Sequence, residues 1–562
     1  KWISGSLLCE FIENQRNLSK DVIEFAYLSN LKIIGPSNVG KSSFIKWITS
    51  RFISNGSKLS NVQYEFMAPT RGVDIIQKHI SFDNNNNNNL KNNDLQNQIS
   101  LSTGSRGFLS IWDFGGDIKF RPMQEQFLNN NNGIYILMFN WKKRNHEFDD
   151  IISWLNLIKA HSKKLPVILV GTYDELSSNE YSKIIHTDKN YFMQKLYKYY
   201  ESIEDIFIIH VSVKSLSKAS QAPIIFNSLE KIKSDKYEPP RQSTSQLLEF
   251  ENYLREKMNC NFTSRNLMNF HNIFLSECKK KEIPLINMND VIEIIDICKA
   301  DIRDPKEFIN ILLDCGLLLE ICNCNTDTGY NRNFILPQWI ANLLITLNPG
   351  ETSNYRLPQT GILNDTSIEQ CWRPPLFPQS IHSKLYSILG DLSILYHIPK
   401  EKEEEFGKCE YILGRGRSST YSKTSATALI PYNFNLTRPN ELISEKLNNT
   451  ICIKQYWASM GPSCPLAIVS KLIVSLFYKL TPQITWRDGV LFKYENNQRI
   501  LIEFIHSRSI EYYQNEIIPN MDPNSILIKV SKYVEGSQLL EESKEIDIQQ
   551  ILAESFNNIR TG

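Results

Sequence analysis

Between Leu31 and Ser43 the chain reads Leu-Lys-Ile-Ile-Gly-Pro-Ser-Asn-Val-Gly-Lys-Ser-Ser. Those residue types at that spacing suit one task, the holding of a polyphosphate. Gly35 and Gly40 let main-chain N–H groups close around phosphate oxygens, with Pro36, Ser37, Asn38 and Val39 forming the loop between them. Lys41 would reach the outer phosphates, and the Ser42 hydroxyl would ligate Mg²⁺. The apolar run Leu31 to Ile34 supplies the preceding strand. A helix predicted from Ser43 to about Arg51 turns its positive end toward the same anion. A glycine turn that matched by accident would lack this strand-loop-helix context.

Two further stretches offer oxygen ligands. Ala68-Pro69-Thr70-Arg71-Gly72 resembles the first switch of a small GTPase, where a threonine hydroxyl, here Thr70, completes the Mg²⁺ shell once a γ-phosphate is bound. Phe108 to Trp112 reads as a strand that delivers Asp113-Phe114-Gly115-Gly116-Asp117. An aspartate at a strand end with glycine three residues on fits a Walker-B carboxylate for Mg²⁺ and a backbone N–H for the terminal phosphate. Asp113-Phe114-Gly115 also spells a kinase motif, but no kinase catalytic loop precedes it, and the metal role accounts for it better.

The elements that must position these residues follow from the apolar pattern. Ile134 to Phe139, Leu165 to Gly171 and Phe207 to Val211 read as buried strands, and Asp149 to Lys159 as a helix. Thr172-Tyr173-Asp174-Glu175 and Ser212-Val213-Lys214 follow two of those strands. Strands alternating with helices, with polar residues repeatedly at strand ends, describe an α/β doubly wound parallel sheet that binds its ligand along one edge. Residues 83–105, with Asn84 to Asn89 at their heart, read as a disordered polar insert, and Asn129 to Asn132 repeats the bias.

Taken in order, the phosphate loop, switch threonine, Trp-Asp-Phe-Gly-Gly, Thr-Tyr-Asp-Glu and Ser-Val-Lys resemble the Roc domain of the Roco family. The resemblance implies a Ras-like P-loop GTPase that binds GTP or GDP with Mg²⁺, in which residues 172–175 and 212–214 face the guanine base. It implies that Lys41, Thr70 and Asp117 act in catalysis and that Ser42, Thr70 and Asp113 hold the metal. Three departures stand out. Asp174 and Glu175 both lie near the base-reading carboxylate position, and that choice stays open. Tyr173 replaces the usual Lys or His beside the base. Asp117 occupies the place of the water-orienting glutamine, so intrinsic hydrolysis should be slow. Arg71 and Arg121 flank the right loops to supply transition-state charge.

Pro239-Pro240 marks a joint, and beyond it helices alternate with short strands. Residues 308–321 suggest a helix stopped near Gly316 and then a strand; residues 333–340 suggest its partner and a new helix. That order is similar to a winged helix, yet no basic patch accompanies it, which argues for protein packing and against nucleic acid. Leu-Leu-Asp-Cys-Gly-Leu-Leu-Leu, Ile-Leu-Pro-Gln-Trp-Ile, Gly361-Ile362-Leu363, Ala428-Leu429-Ile430-Pro431 and Trp486-Arg487-Asp488-Gly489-Val490-Leu491 resemble, in order, the COR region that follows Roc. The expected map is a flank over 1–27, Roc over 28–240, a winged-helix-like first COR part over 241–445, a sheet-and-helix second part over 446–540, and a polar tail over 541–562. The resemblance implies a homodimer through the second COR part. It also implies leucine-rich-repeat or Ser/Thr kinase neighbours in a longer chain.

Composition narrows the partners. A length of 562 residues calls for several domains, and a net charge of +1 provides no global field to attract nucleic acid or anionic membrane. Eleven scattered cysteines without a Cys-x-x-Cys fit reduced thiols in a cytoplasmic protein, and no apolar run reaches membrane-spanning length. The start at Lys1, without an initiator Met, reads as that of an excised piece. The leading expectation is a GTP-binding switch with slow hydrolysis that regulates dimerisation and an adjacent effector. A nucleotide-bound scaffold that never turns over, and a P-loop ATPase, are the alternatives.

Overall fold

The computed structural model describes residues 25–45, 48, 70, 72–82, 105–117, 120–128, 133–161, 165–173, 181–210, 260–262, 273–298, 304–321, 333–347, 361–411, 427–460, 467–494, 498–506, 525–535 and 550–554, less a few positions within those spans. Arg71, most of the 83–105 insert, Asn129 to Asn132, Asp174, Glu175, Ser212, Val213, Lys214 and the Pro239-Pro240 joint lie outside them.

A seven-stranded sheet is built from β1 (Phe25–Ile34), β2 (Val73–Phe82), β3 (Ser105–Phe114), β4 (Ile134–Asn140), β5 (Val167–Tyr173), β6 (Ile203–His210) and β7 (Cys260–Phe262). The order is β2-β3-β1-β4-β5-β6, with β7 pairing antiparallel to the start of β1. The path from β3 to β6 is parallel throughout, as the strand-helix alternation predicts, whereas β2 runs antiparallel to β3 as an edge strand. That pairing runs from Val73 opposite Phe114 to Phe82 opposite Ser105, which makes β3 longer than its apolar run alone suggests.

Both faces of this sheet are covered, so its strands are apolar almost without break. On one face Leu31, Ile33, Ile136, Met138 and Val170 meet Val39, Phe44 and Ile45 from the phosphate loop and its helix. On the other, Trp112, Phe114, Leu137 and Phe139 meet Ile151, Trp154, Leu155 and Ile158 of helix Phe148–His161. This second core does not stop at the sheet. It continues without interruption through Ile340, Leu344, Trp372 and Leu385 to Ile430.

Next in sequence, helices Met288–Cys298 and Pro305–Asp314 sit with a small antiparallel sheet of β8 (Leu285–Asn287), β9 (Leu319–Ile321) and β10 (Asn333–Ile335), in the order β8-β10-β9. The second helix stops as its sequence predicts. Gly316 takes φ +67°, and the Leu317 N–H returns to the Leu312 carbonyl at 2.9 Å. That glycine also touches the large sheet: a Cβ there would lie 2.5 Å from Asn30 Nδ2 and 3.0 Å from Trp112 Cζ2. Gly316→Ala therefore meets backbone strain and a clash together, and should cost about 2–3 kcal/mol of stability by urea unfolding. An unchanged midpoint would show that the two units are not pressed together there.

Three two-residue strands, β11 (Ile362–Leu363), β12 (Tyr396–His397) and β14 (Ala428–Leu429), form a further small sheet. The C-terminal sheet joins β13 (Glu410–Tyr411), β15 (Thr450–Ser459), β16 (Thr481–Trp486), β17 (Gly489–Lys493), β18 (Arg499–Ile505) and β19 (Leu527–Glu535), in the order β13-β16-β17-β18-β19-β15. Its core takes Leu472, Ile473, Leu476 and Phe477 from helix Ala467–Lys479 against Val490, Phe492, Ile500 and Ile502. Wholly buried Glu503 on β18 is neutralised by Arg438 and by Lys529, the latter at 3.3 Å. Among the described residues, no helix is long and apolar enough to cross a membrane.

Candidate functional site

The loop between β1 and its helix is a turn that only its own residues permit. Gly35 sits at φ +136°, where a Cβ would lie 2.0 Å from the Met138 carbonyl oxygen of β4. Gly40 at φ +87° and Asn38 at φ +64° complete the left-handed positions, and asparagine tolerates that region best of the non-glycine residues. Helical geometry begins at Lys41, two residues earlier than the sequence suggests, and Phe44 N–H donates to the Gly40 carbonyl at 2.9 Å.

Lys41 lies back along this loop. Its ammonium donates to the carbonyls of Gly35 at 2.8 Å and Pro36 at 2.6 Å. Burial lowers its pKa to about 8, against a smaller upward pull from Asp113.

Three oxygens converge beside it. Ser42 Oγ and Thr70 Oγ1 each donate to Asp113 Oδ2 at 2.7 Å, and the two hydroxyls are 3.1 Å apart. Burial raises the Asp113 pKa; the Ser42 and Thr70 bonds and the Lys41 charge oppose it, while Asp74, opposite Asp113 in the β2–β3 register, adds to the rise. Asp113 Oδ1 is buried with no hydrogen-bond partner. Two hydroxyls and a carboxylate with a spare oxygen are the hard donors that Mg²⁺ takes. The glycine-lined loop and Lys41 supply the amide and ammonium donors that a phosphate takes, so the residues present fit both groups. Among the described residues, no group of three or more His, Cys, Asp or Glu offers a softer metal a site.

The segment after Asp113 lies against the loop. A Cβ on Gly116 would meet Ser37 N at 2.2 Å, and one on Gly115 would meet the Thr70 carbonyl at 2.5 Å. Phe114 is wholly buried in the core below. The Asp117 carbonyl accepts from Phe120 N–H at 3.0 Å.

Other expected residues are placed differently. Arg121 is nearly buried, donates to Ser153 Oγ at 2.6 Å and stacks 4.4 Å from the centre of the Trp154 ring, so it is committed to helix Phe148–His161. Thr172 is buried, and its hydroxyl donates to the Phe139 carbonyl at 3.1 Å, securing β5 to β4. Tyr173 closes β5, and Ser43 lies in the first helical turn.

Two residues that no motif flagged stand beside the site. Gln124, on the short helix Arg121–Gln124, is wholly buried and bonds both switch segments. Lys32, one residue into the apolar run, is also wholly buried, with its ammonium 5.6 Å from the Trp112 ring centre, 5.1 Å from that of Tyr135 and 3.4 Å from the Tyr135 hydroxyl. The strand pattern carried a signal for Lys32, since a central parallel strand has no solvent face to give it. For Gln124 the sequence carried none.

A parallel sheet with an antiparallel edge strand, a Gly-x-x-x-x-Gly-Lys-Ser loop at its ligand edge and Ser, Thr and Asp oxygens converging there define a P-loop domain of the Ras-like type. A family model described as Ras of Complex, Roc, domain of DAPkinase matches residues 30–174. Over about two thirds of its length the chain is similar to Roco proteins. It is 24% identical over 395 residues, 66% of its length, to the probable serine/threonine-protein kinase roco5 of Dictyostelium discoideum. It is 26% identical over 384 residues, 67% of its length, to the probable serine/threonine-protein kinase pats1 of the same organism. The matched stretches are 13% and 11% of those proteins, so the chain spans about an eighth of the relatives it matches. Among solved structures, Roco2 RocCORdC of Methanosarcina barkeri bound to GDP matches at 14% identity and a TM-score of 0.37, over 68% of this chain and 96% of that one.

Proposed function

We propose that this chain is the Roc-COR switch of a longer Roco protein: it binds GTP and GDP with Mg²⁺, hydrolyses GTP slowly, and through its second half dimerises and governs an adjacent Ser/Thr kinase. The observation that carries the reading is the convergence of Ser42, Thr70 and Asp113 within 3.1 Å of one another, beside Lys41. Among the described residues, the Thr70 segment meets the site there, at Gly115 and at Gln124, so its hydroxyl is the natural reporter of whether a metal-bound terminal phosphate is present. Ser42, Thr70 and Asp113 would hold Mg²⁺, which supplies charge neutralisation between the outer phosphates. Lys41 and the amides from Ser37 to Ser42 hold the phosphates themselves.

Slow turnover follows from Asp117, a carboxylate where an amide would both orient water and donate to the phosphate. Arg121 supports the same expectation, because its guanidinium is engaged with Ser153 and Trp154. The segments carrying Asp174, Glu175 and Ser212 to Lys214 would read the base, as the resemblance implies. Cysteines at 278, 371 and 452 that form no disulfide fit a cytoplasmic location.

Titration of the 562-residue chain with fluorescent GTP, GDP and ATP, with Mg²⁺ and with EDTA, tests the reading. Guanine nucleotides should bind and ATP should not, with triphosphate binding weakened by EDTA. Equal binding of ATP would overturn the base assignment. Single-turnover release of phosphate from GTP then separates a slow GTPase from the scaffold that Asp117 keeps in view.

A further inference from the structure

Thr70 and Asp113 lie on separate segments, and something must hold those segments in register. Gly72 and Gly115 stand two residues beyond Thr70 and Asp113 respectively. Gly115 N–H donates to the Gly72 carbonyl at 2.8 Å. Across both, the Gln124 amide nitrogen donates to the Gly72 carbonyl at 2.9 Å and to the Gly115 carbonyl at 2.7 Å. Both neighbours are carbonyls that only accept, so the NH₂ end must face them. The other end, Oε1, is buried without a partner. A buried acceptor left unmade is costly, and such a cost is kept where the group serves a further purpose.

Gln124 is itself held on both sides. Arg121 anchors the start of its helix to Ser153 and Trp154. Glu125, one residue on, accepts from Ala467 N–H at 3.0 Å, at the start of helix Ala467–Lys479, and Lys471 of that helix reaches Gln126 at 3.3 Å. The amide therefore projects from an anchored helix onto the two segments at the point where the β2–β3 ladder ends.

We propose that Gln124 is a positioning residue, a two-pronged clamp that holds the Thr70 and Asp113 segments together so that their oxygens form one metal site. The inference rests on the nucleotide reading above and adds a residue to it. The clamp's described hydrogen bonds go to Gly72 and Gly115, on the two switch segments and not on the phosphate loop. Its loss should therefore weaken the ligand whose terminal phosphate needs Thr70 and spare the one that does not.

The experiment uses the whole chain with Gln124→Met, which keeps the shape and removes both donors, and Gln124→Glu, which sets a carboxylate against two carbonyls. Affinities for GDP and for a non-hydrolysable GTP analogue are measured in Mg²⁺. Both variants should bind the analogue about tenfold or more weakly, by the loss of two buried hydrogen bonds, with GDP affinity within about twofold of wild type. Equal weakening of the two nucleotides, with the GDP-to-analogue ratio unmoved, would make Gln124 an ordinary structural residue and overturn the clamp. So would unchanged affinity for both. A wild-type chain that binds neither nucleotide would instead sink the nucleotide reading and the clamp with it, which the wild-type titration reveals before any variant is made.

Discussion

A Lys41→Ala chain is expected to lose about a thousandfold in affinity for GTP and GDP while its fold stays as stable as the wild type or becomes more so. The loss comes from removing charge-assisted bonds in a largely desolvated setting, about 1.5–3 kcal/mol each, and two of them reach roughly 4 kcal/mol. The stability half of the expectation comes from protonation. Burial holds the Lys41 pKa near 8, below its ordinary 10.5. A lysine depressed in the folded state costs stability in full below the folded pKa, and the cost fades as pH rises toward the unfolded one. At pH 7 the cost is about 3 kcal/mol before the two carbonyl bonds are credited. Alanine removes the cost with the bonds. Nucleotide binding by fluorescence and unfolding by urea, run on one preparation, check both halves. Retained tight binding would contradict the phosphate-loop assignment; lost binding in a destabilised protein would reduce the result to misfolding.

Lys32→Met should stabilise the chain by about 3 kcal/mol at pH 7. Burial alone lowers the Lys32 pKa to about 7 from 10.5, and the described residues give its ammonium no carboxylate. The corresponding penalty is about 5 kcal/mol. The Trp112 and Tyr135 rings return about 2 kcal/mol of that by cation–π attraction. Methionine keeps the length and fills the same slot, and Tyr135 still donates its hydroxyl to the Leu128 carbonyl at 3.0 Å. The sign with pH is fixed. The unfolded chain binds the extra proton between about 7 and 10.5, so wild-type stability gains on the variant as pH rises through that window. Urea midpoints for both proteins at pH 7, 8.5 and 10 should therefore converge. A gap that does not narrow, or a variant less stable than wild type at pH 7, would mean that Lys32 is held by more than two rings.

Much of the site could be read from local sequence because it is made of contiguous pieces. Strand, loop and helix are consecutive from Leu31 to Phe44, and each piece predicts the next. Thr70 and Asp113 were legible for a different reason: each follows a recognisable signal at a segment end, and the sheet order then brings the ends together. β16 and β17 join through the two-residue turn Arg487-Asp488, with Gly489 backed so closely onto the Trp486 indole that a Cβ would lie 2.2 Å from it.

What stayed hidden was hidden by distance. Gln124 reads as one polar residue among several on a short helix, and its worth lies in carbonyls 52 and 9 residues away. The Glu125 bond to Ala467 spans 342 residues. Ile75 N–H, on the open side of the edge strand β2, is satisfied by Gln338 Oε1 at 2.7 Å, which no local pattern forecasts. The antiparallel run of β2 was lost for the same cause, since pairing direction depends on where the insert returns the chain. Nor did β15 carry the usual alternation, because both of its faces are largely open from Ile451 to Lys454.

The apolar interior that begins at Ile34 and ends at Ile430 belongs to no single segment of the chain. The nucleotide sheet is therefore not a detachable module. Cut out alone, it would leave Gly72 without the Ile345 side chain, whose Cγ1 would lie 3.0 Å from a Cβ built there, and Trp112 without Gly316. Melting of one half should drag the other with it, so that nucleotide occupancy at one end is felt as cohesion throughout the shared interior.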